Sequence, residues 1–276
     1  MKIGAIFFVA VAVLAALTKA MAATYSFEPV ADARVINLPG DQAVNYSADI
    51  LSVYFASSSG NTQRTFIQFD LSSIANEQVG SATLTLTAGT SYGDNSVHKP
   101  MEIYRVLSPW TETGLTWLNR DATHAWGTNG GDFVGTNGQP YAVSTASATN
   151  NQPITWDVTK LVQEWVTQVS PNNGLALVSY DGNYLIFSQR EVATPALRPH
   201  LTVVTDELPP FHAYSSGGQV VMWWTSTNSI LQEKTNLSPA VAWADSGRSV
   251  VQSSGTNSVT IPAPKGNNFF RLRGGP

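Results

Sequence analysis

The sequence contains arginines, aromatic residues and a glutamine in short segments where apolar and polar residues alternate. A guanidinium binds a carboxylate through two parallel hydrogen bonds. An aromatic ring covers the apolar face of a pyranose, and an amide hydrogen-bonds sugar hydroxyls. If the strands that carry them share one sheet, these side chains together form a site suited to a chain of carboxylate-bearing sugars. The candidate residues are Arg34, Tyr54, Arg64, Phe66, Gln68 and Arg190.

The predicted surface depends on which face of each strand points inward. Successive side chains of a strand point to opposite faces, so we expect the apolar series to be buried. This rule exposes the six candidates and Asp32. In the alternative interpretation, the arginines simply form ion pairs with Asp32, Asp70 or Glu191. The residues expected inside are Ala33, Val35, Leu51, Val53, Phe55, Ile67, Phe69, Leu185 and Phe187.

Short strands separated by turns must position these residues. Turn-forming stretches such as SSSGNT and PNNG separate the runs, which is typical of an antiparallel sandwich. Residues 157–169 differ, because their apolar residues fall at helical spacing and predict one short amphipathic helix. The sequence thus predicts an all-β fold with a single helix. The predicted strands are 31–36, 50–55, 64–71, 81–88, 101–107, 174–180, 184–191 and 199–204.

Two tryptophans stand in a segment with neither strand nor helix period, SPWTETGLTWLNRD. Trp110 and Trp117 either pin a long connection onto the core or form a flat surface for a ligand. We favour the first interpretation, because Glu112 and the threonines can satisfy loop amides once the loop is packed down. Trp126 follows in a glycine-rich stretch and is a further candidate for the rim of a binding site.

The N-terminal segment predicts export. Lys2 precedes an apolar run and the small residues Ala20-Met21-Ala22, a pattern typical of a signal peptide spanning 1–22. The mature protein is therefore expected to be secreted, and no later stretch is long enough to span a membrane. The chain has no cysteine, so its stability must come from buried apolar surface. A net charge of −4 argues against a nucleic-acid partner.

A second module is predicted after the segment TDELPPF. We place a first domain at 23–205, a linker at 206–211 and a small β-sandwich at 212–276. The last resembles a fibronectin-type-III or immunoglobulin-like module, which would act as a spacer, attach the protein to a surface or mediate self-association. Its expected core is aromatic: Trp223, Trp224, Trp243, Phe269 and Phe270.

Several motifs occur in a characteristic order within the first domain: FIQFDLSSI, SATLTLTA, IYRV before PWTETGLTW, WDVTKLVQEWV, NNGLAL, and FSQRE before PHLTV. In this order they resemble DNRLRE-type domains, also classed as carbohydrate-binding module family 96, over roughly residues 25–205. The resemblance implies a jelly-roll β-sandwich that binds polysaccharide, with alginate among the family's ligands, and no catalysis. One departure is that we recognise no lyase or hydrolase domain beside it, so the protein would act in trans or as a coat, adhesin or matrix component.

Metal and catalytic signals are weaker. Asp94-Asn95 and Asp181-Gly182-Asn183 offer oxygens to a structural calcium ion, although turn formation explains the same residues. The four histidines have no zinc-ligand spacing. Tyr54 with Arg64 allows a lyase interpretation, in which a tyrosine base acts beside a neutralising arginine.

Three functions therefore remain open. The favoured one is a secreted, non-catalytic protein that binds polysaccharide without a cofactor. The second is a structural or adhesive surface protein whose modules assemble with one another. The third is a polysaccharide lyase.

Overall fold

A computed structural model describes two compact units, with the boundary after Asp206. The predicted signal peptide, except its last residue, and Asp94, Asn95, Asp181 and Asn183 lie outside the described residues. Within those residues, no helix has the length and apolar character needed to cross a membrane. The described residues are 22–56, 58–89, 100–145, 151–180, 182, 184–206, 209–225, 229–238, 242–262 and 267–274.

The first unit consists of twelve strands and one α-helix among its described residues. The elements are β1 (Thr24–Phe27), β2 (Ala31–Ile36), β3 (Leu51–Phe55), β4 (Thr62–Gln68), β5 (Val79–Thr87), β6 (Met101–Val106), β7 (Phe133–Val134), β8 (Ala142–Ser144), β9 (Pro153–Asp157), α1 (Thr159–Val166), β10 (Leu175–Val178), β11 (Tyr184–Phe187) and β12 (His200–Thr205).

These strands form two antiparallel sheets. The smaller sheet has the order β1-β12-β5-β9, and the larger has the order β11-β3-β4-β10-β6-β7, with β2 paired to β4 and β8 paired to β6. The main apolar core contains side chains from both sheets, including Leu84 and Leu201 from one and Ile67 and Leu177 from the other. Trp156 is fully buried and donates its indole N–H to the carbonyl of Met101, a distance of 3.0 Å. The prediction of an all-β sandwich is confirmed.

The helix is present but shorter than predicted. It starts at Thr159 because the Asp157 carboxylate accepts hydrogen bonds from the backbone and hydroxyl of that residue, while Asp157 itself closes β9. It ends at Val166, and Gln168 has a left-handed φ of 60°. Val169, which the helical pattern placed on the apolar face, is consequently 55% exposed.

The second unit contains seven strands among its described residues. Of the five aromatic residues predicted for its core, Trp224 lies in the cluster and Phe270 packs against it, while the remaining core residues are not aromatic. Trp223 points to the opposite side of its strand and stacks on His212, and Trp243 lies against Arg271. The strands are β13 (His212–Ser216), β14 (Gln219–Trp224), β15 (Ser229–Lys234), β16 (Ala244–Asp245), β17 (Val251–Ser253), β18 (Thr256–Pro262) and β19 (Phe269–Gly274), in sheets β13-β14-β18-β17 and β16-β15-β19.

Candidate functional site

The outer face of the larger sheet is covered by the connection between β6 and β7, residues 107–132, which we call the tryptophan loop. The loop buries a second apolar cluster against the sheet, which we call the outer cluster. Strands β4, β6 and β10 therefore contribute apolar side chains to a cluster on each face, whereas β2 contributes only to the outer cluster. The outer cluster consists of Ala33, Val35, Phe66, Val106, Trp110, Leu115, Trp117, Trp126, Ala176 and Val178.

The tryptophans of the loop are anchors. Trp110 and Trp117 are each 6% exposed, which confirms the interpretation that they pin the connection to the core. Trp110 donates its indole N–H to the carbonyl of Asn173 at 2.8 Å. The Asn45 amide donates to the carbonyls of Glu112 and Leu115, both at 2.7 Å, which ties the loop to the segment before β3. These bonds satisfy polar groups that burial would otherwise leave unpaired.

Phe66 was predicted at the binding surface and Trp126 was a candidate for its rim, but the structure buries both side chains. Phe66 does point away from the main core, as alternation requires, but it is fully buried beneath the tryptophan loop. Its ring stacks on Trp126 at a centroid distance of 5.4 Å and meets the edge of Trp110 at 6.0 Å. Trp126 is 5% exposed and donates to the carbonyl of Thr116, so it is a packing residue and not a rim residue.

Arg34 and Asp32 are also buried, against expectation. The β2–β4 register places Arg34 opposite Thr65 and Val35 opposite Arg64. Directly opposed residues share a face, so Arg34 and Arg64 lie on opposite faces. Arg34 is 8% exposed and forms an ion pair with Asp49.

Tyr54 and Gln68 are half-buried and lie apart. Tyr54 pairs with Gln63 across β3 and β4, so it points to the side opposite Arg64. Its ring meets Tyr184 edge-on at 5.1 Å. The Gln68 amide donates to the carbonyl of Asn172 at 3.2 Å. The face separation argues against the lyase interpretation, which requires Tyr54 beside Arg64.

Arg190 is held in an ion-pair cluster. Its guanidinium donates to both carboxylate oxygens of Glu112, at 2.9 and 3.0 Å, and also contacts Glu191 at 2.6 Å. The backbone N–H of Arg190 donates to Asp32, and the backbone N–H of Asp32 donates to Glu112, each at 2.9 Å. The alternative interpretation, in which the arginines form ion pairs, is therefore confirmed for Arg190 with Glu191. The second partner, Glu112, was not predicted.

The Asp32 carboxyl in this cluster is electrostatically unusual. It is fully buried, and burial raises its pKa from 3.8 to about 7. The hydrogen bond from the Arg190 backbone lowers the pKa, while the charges of Glu191 and Glu112 raise it further. Its Oδ1 atom is buried and has no hydrogen-bond partner in the part of the chain that the structure describes.

Arg64 is the candidate arginine that forms no ion pair among the described residues. Its guanidinium carbon lies 4.8 Å from the ring centroid of Trp117 and 5.1 Å from that of Phe133. Its Nη1 donates to the carbonyl of Gly130 at 2.9 Å, which fixes its orientation. Burial lowers the pKa of Arg64, and the charge of Tyr180 opposes this effect. The group remains a cation at neutral pH because an arginine pKa starts above 12.

Arg64 lies with residues that the sequence analysis did not select, and we call this group the Arg64 surface: Arg64, Glu102, Tyr104, Phe133 and Tyr180. The rings of Tyr104 and Phe133 are 5.3 Å apart, and the Tyr104 hydroxyl donates to Glu102 at 2.5 Å. Tyr180 is 49% exposed, and burial raises its pKa while the charge of Arg64 lowers it. Alternation in MEIYRVL could have identified Glu102 and Tyr104 as outward-facing.

The six predicted residues therefore do not form one surface. Arg34 and Tyr54 lie on one side of the β2–β4 ladder, Arg64, Phe66 and Gln68 lie on the other, and Arg190 is held by acids. One element of the prediction is present in the structure, an arginine beside aromatic rings. It is found at Arg64, which lies against Trp117 and Phe133.

Comparison with known proteins identifies the first unit. Among solved structures, a β-1,2-glucanase from Parabacteroides distasonis matches with 8% identity and a TM-score of 0.19 over 91% of this chain and 34% of that chain. This chain therefore spans about a third of that enzyme's length, and a TM-score this low is not evidence of a shared fold or function. No curated protein matches. The DNRLRE assignment stays a prediction. The family model of the disaggregatase related repeat domain matches residues 42–203, more than half of the chain, and the chain belongs to that family.

Proposed function

We propose that this chain is a secreted, non-catalytic protein that binds an acidic polysaccharide, such as alginate, at the Arg64 surface. The observation that carries the proposal is the guanidinium of Arg64, which forms no ion pair among the described residues and lies between aromatic rings. Membership of the family and the resemblance of residues 25–205 to carbohydrate-binding domains support a sugar ligand.

The chemistry of the surface fits a uronate. The Nη1 atom of Arg64 donates to the carbonyl of Gly130. The Nη2 atom has no hydrogen-bond partner among the described residues and is available to a ligand carboxylate. A charge-assisted bond of this kind is about twice as strong as a neutral one. The half-exposed ring of Tyr180 can cover a pyranose face, and Glu102 can accept bonds from sugar hydroxyls. Because such a surface stays wet, we expect affinities of about 4–8 kcal/mol, micromolar to millimolar.

The proposal is tested by affinity electrophoresis of the full chain in gels that contain alginate or a neutral glucan. We expect alginate to retard the wild-type protein more than the glucan. Tyr180→Ala and Arg64→Gln should both weaken the retardation. The matched control is Arg198→Gln, which removes the same charge from a surface arginine paired with Glu28.

Equal retardation of all three variants would overturn the assignment of the Arg64 surface. Unchanged mobility of the wild type across a broad panel of polysaccharides would overturn the proposed function itself. Circular dichroism of each variant separates loss of binding from loss of folding, which matters because Arg64 also packs against Trp117.

A second function, assembly through the C-terminal unit, is favoured by one observation. Its four-stranded sheet exposes apolar side chains on one face, with Tyr214 52% and Val251 62% exposed. Exposed apolar patches commonly mark interaction sites. Light scattering over a concentration series, with wild type and Val251→Lys, tests it: a larger mass that the variant abolishes supports assembly, and a strict monomer excludes it.

A further inference from the structure

The carboxylates of Asp32, Glu112 and Glu191 converge at a point where three distant parts of the chain meet. One oxygen from each lies within 4.8 Å of the others. Asp32 belongs to β2, Glu112 to the tryptophan loop, and Glu191 to the segment after β11. The three acids face one guanidinium, Arg190, so the local charge is negative when all are ionised.

Asp32 gives a second, independent indication of a ligand. Its side chain is fully buried, yet Oδ1 has no hydrogen-bond partner among the described residues. Leaving a buried carboxyl oxygen unpaired is costly, and native proteins rarely do so without an ion or a water molecule. Arg190 does not remove this deficit, because its guanidinium bonds to the glutamates and only its backbone N–H reaches Asp32, at Oδ2.

We propose that Asp32, Glu112 and Glu191 bind a calcium ion that ties the tryptophan loop to β2 and to the segment after β11. The donors are all carboxylate oxygens, which suits a hard cation and not zinc. Calcium–oxygen distances of about 2.3–2.6 Å allow two ligands to lie up to roughly 5 Å apart, whereas magnesium permits only about 4 Å. One oxygen of each carboxylate lies within 4.8 Å of the others, which is inside the limit for calcium. The Glu191 side chain is 43% exposed, which leaves room for water ligands.

The test uses the full chain, stripped with a chelator and titrated with calcium chloride or magnesium chloride in a calorimeter. We expect one calcium ion per chain at this site and weaker binding of magnesium. At a calcium concentration about 100-fold above Kd, the unfolding midpoint of the first unit should rise by roughly 5–10 °C.

Variants locate the site. Glu191→Gln removes a half-exposed ligand and should lower calcium affinity at least roughly tenfold, in line with the loss of one metal-site partner. Asp32→Asn should do the same, and Glu28→Gln, an exposed acid paired with Arg198, is the matched control that retains affinity. Absence of calcium binding by the wild type, or full affinity in both Glu191→Gln and Asp32→Asn, would overturn the proposal, the second by placing calcium elsewhere.

Discussion

Truncation of Phe66 tests whether the outer face of the larger sheet is a second core. Alternation predicts this side chain on the solvent face of the sheet, but it is fully buried in the structure, where it contacts Trp110 and Trp126. Phe66→Ala should therefore leave a cavity beneath the tryptophan loop. Replacing a buried phenylalanine by alanine costs roughly 3–5 kcal/mol, from lost transfer free energy and the cavity.

The expected shift is measurable by calorimetry of the full chain. In a unit the size of residues 22–206, about 2–4 °C of midpoint is lost per kcal/mol, so Phe66→Ala should lower that transition by roughly 6–20 °C. A transition from the C-terminal unit should stay in place. The control is Leu107→Ala, an apolar residue of the same loop that is 47% exposed, whose change should stay within about 0.5 kcal/mol.

The opposite result would refute the reasoning. A Phe66→Ala midpoint within about 2 °C of wild type, accompanied by weaker alginate binding, would show that Phe66 is a surface residue and that the tryptophan loop does not cover it.

Three other predictions follow from the first unit. Glu112→Gln should lower the free energy of unfolding by about 1–3 kcal/mol in urea denaturation, because the Arg190 guanidinium loses one of its two charged acceptors; an unchanged midpoint would show that this ion pair is solvated. With metal removed by a chelator, the raised pKa of Asp32 makes the free energy of unfolding depend on pH. The stabilising contribution of Asp32 is complete below its unfolded pKa of 3.8 and is lost as pH rises through its folded pKa of about 7. The lost contribution amounts to up to about 4 kcal/mol. Asp32→Asn, which still faces Glu112, Glu191 and Arg190, should remove that slope when urea midpoints are compared between about pH 4 and pH 8, and identical slopes would contradict the shifted pKa. Gly174→Ala should destabilise strongly, because φ is +82° and the added Cβ would lie 2.4 Å from the carbonyl oxygen of Ile67; a thermal midpoint equal to wild type would contradict this geometry.

Much of the fold was predictable, because alternation and turn residues act locally. The strands, the helix and the anchoring role of Trp110 and Trp117 follow from residue pattern and from the cost of exposing large apolar rings. The burial of the outward-facing side chains was not predictable in this way. Alternation separates the two faces of a strand, but it does not show whether another part of the chain covers the outer face. The sequence did contain one signal. Strand β10 reads LALV, so neither of its two faces carries a polar residue, and all four residues are buried. Such a continuous apolar run indicates a strand covered on both faces.

The site could be predicted only in part, because it depends on register. Arg34 and Arg64 have the same local pattern, and only the pairing of β2 with β4 reveals that they lie on opposite faces. Glu112 is eighty residues from Asp32 and seventy-eight from Arg190, so no local pattern announces their contact. The residue types predicted arginines beside aromatic rings. Only the long-range packing of the tryptophan loop shows that Arg64 is the arginine with this environment.

The larger sheet is, in effect, the middle layer of a three-layer arrangement, since the smaller sheet lies on one side and the tryptophan loop on the other. Its central strands β4 and β10 are shielded from solvent twice over. We therefore expect their amide protons to exchange slowly with deuterium, and we expect a substitution that loosens the tryptophan loop to speed exchange at Ala176, which the loop covers. A connecting loop would then control how readily the neighbouring strands open to solvent.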